Sequence, residues 1–179
     1  MKNSKPKILA ISGGISSTSY NKKILQTILL DFSKDSNIKL YEGISEFPFF
    51  LSGISDENIP NIVKEFLNEI QNADGILICS PEYVFSIPGV LKNALEWAVS
   101  SVVFTDKPVA LITAASVGQK AHESLLLVLK TIGAKLSENT NLLISGVKGK
   151  VAADGKIIDE STKKEVHDMM DSFLKSLKV

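Results

Sequence analysis

The sequence predicts an α/β three-layer sandwich, a five-stranded parallel sheet with helices on both faces. Three observations carry this. Short apolar runs alternate with longer amphipathic segments along the whole chain, strand then helix, five times over. The runs are apolar in succession rather than in alternation, the pattern of strands buried on both sides. The segments that leave the first, third and fourth runs carry the glycine, serine and proline that shape ligand loops at the carboxyl ends of such strands.

The elements follow in order. Ile8-Leu9-Ala10-Ile11 is the first strand. Helical spacing of Ile24, Leu25, Ile28, Leu29 and Phe32 predicts a helix over Asn21–Ser33. Ile38–Tyr41 is a short second strand, and Val63, Phe66, Leu67 and Ile70 mark a helix over Asn61–Asn72. Gly75–Cys79 is the third strand, with a helix beyond it that contains Leu91–Val99. Val109–Ile112, entered after Pro108, is the fourth strand. A helix over Gln119–Ile132 follows and stops at Gly133, a left-handed cap. The fifth strand falls between Leu136 and Ser145 with Asn141–Ile144 as its core, and Lys163–Leu177 makes the last helix.

At 179 residues the chain fits one domain and needs no disulfide or metal staple. Twenty basic and twenty acidic residues cancel, so no broad electrostatic footprint for nucleic acid is present. A single cysteine, Cys79, forms no internal disulfide, which suits a reducing compartment. The polar start Met1–Lys7 is followed by too short an apolar run for a signal peptide, and no stretch approaches a membrane span. The expectation is a cytoplasmic protein bound neither to nucleic acid nor to membrane.

The first loop, Ser12–Asn21, reads as an anion site. Gly13 and Gly14 allow a tight turn, and Ser12, Ser16, Ser19 and Asn21 offer short polar groups. Tyr20 and Asn21 open a helix whose free N–H groups face the loop. It has neither the Gly-Lys-Ser/Thr of a Walker loop nor the third glycine of a dinucleotide fingerprint. The plainer alternative is a polar turn whose serines cap the helix.

The second loop, Ser80–Gly89, reads as a wall for a flat ligand. Pro81 and Pro88 restrict its backbone, and Pro88 suits a helix start. Tyr83 and Phe85 supply aromatic surface, with Glu82 and Val84 between Pro81 and Phe85. Packing against a helix or a second subunit is the alternative for either ring, and a solvated charge or a cap for Glu82.

At these residues the chain resembles the NADPH-dependent FMN reductase family, which includes quinone, azo-dye and chromate reductases. Ser80-Pro81-Glu82-Tyr83 and Ser86–Trp97 are similar to its second flavin loop and following helix; Ser12-Gly13 and Ser19-Tyr20-Asn21 are similar to its phosphate loop. The resemblance implies a flavodoxin-like sheet in order 2-1-3-4-5 and one FMN-binding domain over 1–179. It also implies a homodimer, with a homotetramer as the larger alternative. Gly14, Ser16, Ser19 and Asn21 would then hold the FMN phosphate. Pro81, Glu82, Tyr83 and Val84 would line the isoalloxazine, and Ala114–Gly118, with Ser116 and Gly118, would close the far side. The implied reaction passes electrons from NADPH or NADH through flavin to a small acceptor: a quinone, azo compound, free flavin or metal oxyanion. Ser16 stands where the family usually carries arginine, and Val84-Phe85 where it usually carries asparagine and glycine. A flavodoxin-type electron carrier and a relative without FMN are the competing classes; a carrier's acidic surface and threonine-rich loop do not match this neutral chain.

Other residues read more plainly. Cys79 is a small core residue, and His122 and His167 lack a metal-ligand pattern. Phe47-Pro48-Phe49-Phe50 is core, subunit contact or substrate wall, and Trp97 is packing or interface.

Overall fold

In the computed structural model, which describes residues 5–177, five parallel strands pair in the order β2-β1-β3-β4-β5. They are β1 Lys7–Ser12, β2 Asn37–Tyr41, β3 Gly75–Ser80, β4 Val109–Ala115 and β5 Asn141–Ser145. The helices are α1 Tyr20–Asp31, α2 Asn61–Asn72, α3 Gly89–Trp97, α4 Gln119–Thr131, the one-turn α5 Val147–Lys150 and α6 Glu160–Ser176. This is the flavodoxin-like order, and it matches the sequence reading. Residues 1–4 of the polar start lie outside the described range.

Side-chain alternation along each buried strand explains the two layers. Leu9, Ile11, Ile76, Ile78, Val109 and Leu111 point to one face, where α2, α3 and α4 cover them with Phe66, Leu91 and Leu125 among others. Ile8, Ala10, Leu77, Cys79, Ala110 and Ile112 point to the other, covered by Ile24 and Ile28 of α1 and Met170 and Phe173 of α6. β3 and β4 are buried along their whole length, which is why they read as unbroken apolar runs.

Boundaries differ where a cap decides them. The last helix starts at Glu160, three residues before the predicted Lys163, because Asp159 caps it. The Asp159 carboxylate accepts from Thr162 N–H at 2.9 Å and from the Thr162 hydroxyl at 2.6 Å. Apolar periodicity is blind to that polar first turn. Conversely, α1 and α3 stop at Asp31 and Trp97, short of Ser33 and Val99.

Cys79 is fully buried, its Sγ 3.2 Å from Asn21 Oδ1, and burial pushes the thiol well above its ordinary range. A thiol held protonated and dry does not react. Native protein is therefore expected to resist a thiol-specific colorimetric reagent until denaturant is added. Rapid labelling of folded protein would contradict this placement.

Candidate active site

The strand register brings three loops to one rim. Ser12 lies opposite Cys79, Ser80 opposite Thr113, and Ala115 opposite Ser145, so the carboxyl ends of β1, β3, β4 and β5 are level. Strand order reverses between β1 and β3, the position where open α/β sheets bind ligands. A cleft of about 360 Å³ opens there. The first loop and α1 contribute Ser16, Thr18, Ser19, Tyr20 and Asn21; the second loop contributes Pro81, Glu82 and Tyr83; the third contributes Ala114, Ala115 and Ser116. A larger hollow of about 550 Å³ lies at the opposite end, beside the starts of β1 and β2. It is remote from all three loops, and the switch point favours the smaller cleft.

On the first-loop side the structure speaks against the simple cap. Ser19 is the N-cap of α1, yet its side chain makes no capping bond. Among the described residues, the amides of Tyr20, Asn21 and Lys22 donate to no protein acceptor. The helix start thus presents unused donors and its positive dipole end to the cleft. The twenty basic residues are all lysines, so no guanidinium of this chain can reach an anion here. Lys22 itself pairs with Glu42.

Other first-loop residues build the cradle. Ser12, buried at the end of β1, donates its hydroxyl to Gly14 C=O at 2.8 Å, and Gly13 N–H donates to Cys79 C=O at 2.8 Å. Ser16 and Thr18 hydroxyls pair at 2.9 Å. Gly14 packs so closely on Ser19 that a Cβ there would lie 2.3 Å from Ser19 Oγ. Asn21 is buried, and both ends of its amide are committed: Nδ2 donates to Ala114 C=O at 3.3 Å, and Oδ1 accepts from Cys79. Its side chain locks α1 to β3 and β4; what it presents to an anion is its backbone N–H.

Glu82 joins the second loop to the third. Its carboxylate accepts from Gly118 N–H at 3.2 Å and from Ala121 N–H at 3.0 Å, at the start of α4. A carboxylate on the wall of an anion site would repel the ligand, but here a helix N-terminus holds the charge. Gly118 takes φ +90°, the left-handed region that favours glycine, and a Cβ there would also push aside the Leu143 side chain, 2.7 Å away at Cδ1. Ser116 accepts from Gly146 N–H through its carbonyl and lines the cleft.

Val84 and Phe85 stand at the tip of a tight turn closed by Tyr83 and Ser86, with their own amides free of acceptors among the described residues. Tyr83 is half exposed beside the cleft, a flat surface next to those amides. Ser12, Gly14, Val84, Phe85 and Gly118 are not on the cleft wall itself; they shape or flank it.

Sequence reasoning missed two supports. Val147, in the turn of α5, lines the cleft; its only sequence signal is an apolar residue after the glycine that follows the fifth strand, and that Gly146 takes φ +68°. Asn93 and Trp97 pin the loop after β2 onto α3: Asn93 accepts from Phe50 N–H at 2.8 Å and donates to Pro48 C=O at 3.0 Å, while Trp97 Nε1 donates to the same carbonyl at 2.9 Å. Phe47 is thereby core, packed edge-on against Phe66, and Phe50 packs edge-on against Trp97; Phe49 remains exposed. His122 Nδ1 lies 2.8 Å from Thr113 Oγ1, and burial holds its imidazole below the ordinary range, so it adds no charge at neutral pH.

Hydroxyls and unused helix amides on one side of the cleft, with a stiff loop of free N–H groups and a tyrosine on the other, are a donor set that fits the phosphate and flat ring of FMN at the β1–β3 switch point. The fold and cleft thus define a flavodoxin-like protein of the flavin-binding kind. The chain belongs to the NADPH-dependent FMN reductase family, whose model matches residues 6–148. It is similar to the NADH:(hydroxy)cinnamate reductase subunit CrdA of Vibrio ruber, at 33% identity over 93% of this chain and 84% of that one. A 2-hydroxy-1,4-benzoquinone reductase of a Burkholderia species is 31% identical over 93% of each chain. Among solved structures, the NAD(P)H:(acceptor) oxidoreductase FerB of Paracoccus denitrificans superposes with a TM-score of 0.78 over 97% of both chains; at 22% identity this likeness concerns the fold. The chain is accordingly an NAD(P)H-dependent FMN oxidoreductase. Among the described residues no helix is long and apolar enough to cross a membrane.

Proposed function

We propose that this chain holds FMN in the cleft between its first and second loops and reduces a small acceptor, a quinone foremost, at the expense of NADPH or NADH. The observation that carries the site assignment is the uncapped Ser19 hydroxyl beside the unused α1 amides, in one cleft with Tyr83. The overall reaction balances as NAD(P)H, one proton and a quinone giving NAD(P)⁺ and the hydroquinone.

FMN, when bound, supplies the redox chemistry, so no protein nucleophile or general base is needed. The chain supplies position. Ser19 and the amides of Tyr20, Asn21 and Lys22 hold the phosphate through neutral donors and the helix dipole. Ser16 adds a hydroxyl, and Gly14 leaves the room in which Ser19 works. Pro81 fixes the second loop, Tyr83 would flank the ring, and the free amides of Val84 and Phe85 would serve its polar edge. Glu82 keeps the second and third loops in register, so that Ser116 and Gly118 bound the far side. Donor and acceptor would visit the same open face in turn, giving ping-pong kinetics. The unit is the single domain 1–179, acting in the cytoplasm as a homodimer or, in its larger form, a homotetramer; the single, buried cysteine suits a reducing compartment.

Ser16 gives a direct test of the phosphate assignment. Ser16→Arg places a guanidinium in a cradle that has none. It is expected to tighten FMN binding about tenfold, the scale of one added charge-assisted hydrogen bond, and to make the affinity more sensitive to salt. Fluorescence titration at two ionic strengths reads both. Unchanged affinity would place the phosphate elsewhere.

A further inference from the structure

Residues 83–86 form a two-residue hairpin turn. Tyr83 and Ser86 exchange backbone hydrogen bonds of 2.9 and 3.0 Å, and Val84 and Phe85 hold φ of +51° and +55°. That is type I′ geometry, which asparagine followed by glycine adopts without strain. A β-branched valine in the left-handed region is an outlier, and phenylalanine beside it compounds the strain. Burial does not offset it: Val84 is 96% exposed and Phe85 74%. Packing within the chain therefore gives no reason for an apolar pair at this turn.

Its surroundings give one. The turn continues directly from Pro81, Glu82 and Tyr83 on the cleft wall. The flanking loops at the same end of the sheet expose Ile15 and Val117. Val84 and Phe85 alone fall far short of the roughly 800 Å² that each partner gives a protein interface, and they match the face of one ring system.

We propose that Val84 and Phe85 form an apolar lip at the mouth of the cleft that holds the non-reacting hydrophobic part of the acceptor, so that this enzyme prefers apolar fused-ring quinones to hydrophilic ones. The proposal rests on the flavin reading above and adds no bond-making step to it. The strain at the turn is the consequence of keeping apolar side chains where backbone preference calls for Asn-Gly.

The test replaces the pair with the residues the turn prefers. Val84→Asn/Phe85→Gly keeps the hairpin and removes the lip, and it is compared with Phe85→Leu, which keeps apolar surface. The readout is the ratio of kcat/KM for menadione to kcat/KM for a sulfonated benzoquinone, in which cofactor occupancy and flavin reduction cancel. The ratio is expected to fall about tenfold in the double variant, the scale of apolar discrimination in a pocket, and to be largely kept in Phe85→Leu. Thermal stability of the double variant is expected to rise. An unchanged ratio overturns the lip; loss of the oligomer on a sizing column overturns it as well, because the pair is then a subunit contact. Wild-type protein that retains no FMN overturns the flavin reading instead, before any acceptor is compared.

Discussion

Gly14→Ala is expected to raise the dissociation constant for FMN by about 10- to 100-fold while the protein stays folded. The new Cβ would lie 2.3 Å from Ser19 Oγ and 3.3 Å from Ser19 Cβ. The short serine side chain must rotate away, and the hydroxyl it withdraws is the one facing the phosphate position. A neutral donor to a charged oxygen is worth about 1.5–3 kcal/mol, which sets the size of the loss. Gly14→Ala/Ser19→Ala separates crowding from the lost hydroxyl: it removes the collision but not the deficit, so its affinity should match that of Gly14→Ala. Recovery of wild-type affinity in the double variant would show that Ser19 does not bind the ligand.

The second large effect falls on Glu82. Glu82→Ala should lower the stability of the FMN-free protein by about 2 kcal/mol, adding the loss of a helix cap to the loss of a negative charge at a helix start. For a chain of this size that is roughly 4–8 °C in Tm. Gly118 and Ala121 lose their acceptor, and the second and third loops lose the bond that ties them. FMN affinity should fall as well, because the two walls of the cleft no longer move together. Glu82→Gln, which keeps an acceptor oxygen without the charge, is expected to lie between the two. Melting must be followed without FMN, since bound ligand adds its own stabilisation. An unchanged melting temperature would show that the carboxylate does not act as a cap.

The sheet was legible because β3 and β4 are buried on both faces, and burial on both faces writes an unbroken apolar run. The site was legible only as loops of the right composition. Glycine, serine and proline mark where the backbone must turn sharply, so the first two loops announce themselves. The roles of individual side chains did not follow. Asn21 reads as a phosphate ligand until its partners, Cys79 and Ala114, are seen across the sheet. Glu82 reads equally as a ligand contact, a solvated charge or a cap until α4 is folded against it. Asn93 and Trp97 hold a loop more than forty residues before them in the chain. Such contacts are set by topology, and local pattern carries no trace of them. Val84 and Phe85 show the reverse case: their types are plain in the sequence, but only positive φ and exposure to solvent reveal that they break the local rule.

The central claim is that the cleft at the ends of β1 and β3 holds a redox-active FMN. Its most direct test is an anaerobic absorbance titration of the purified protein with FMN, followed by NADPH or NADH and then a quinone. The account predicts saturable binding of one FMN per chain at micromolar concentration or below, bleaching of the bound flavin by reduced nicotinamide, and return of the oxidised spectrum on adding quinone. Failure to retain FMN at micromolar concentration, or bound flavin that neither nicotinamide bleaches, would contradict it.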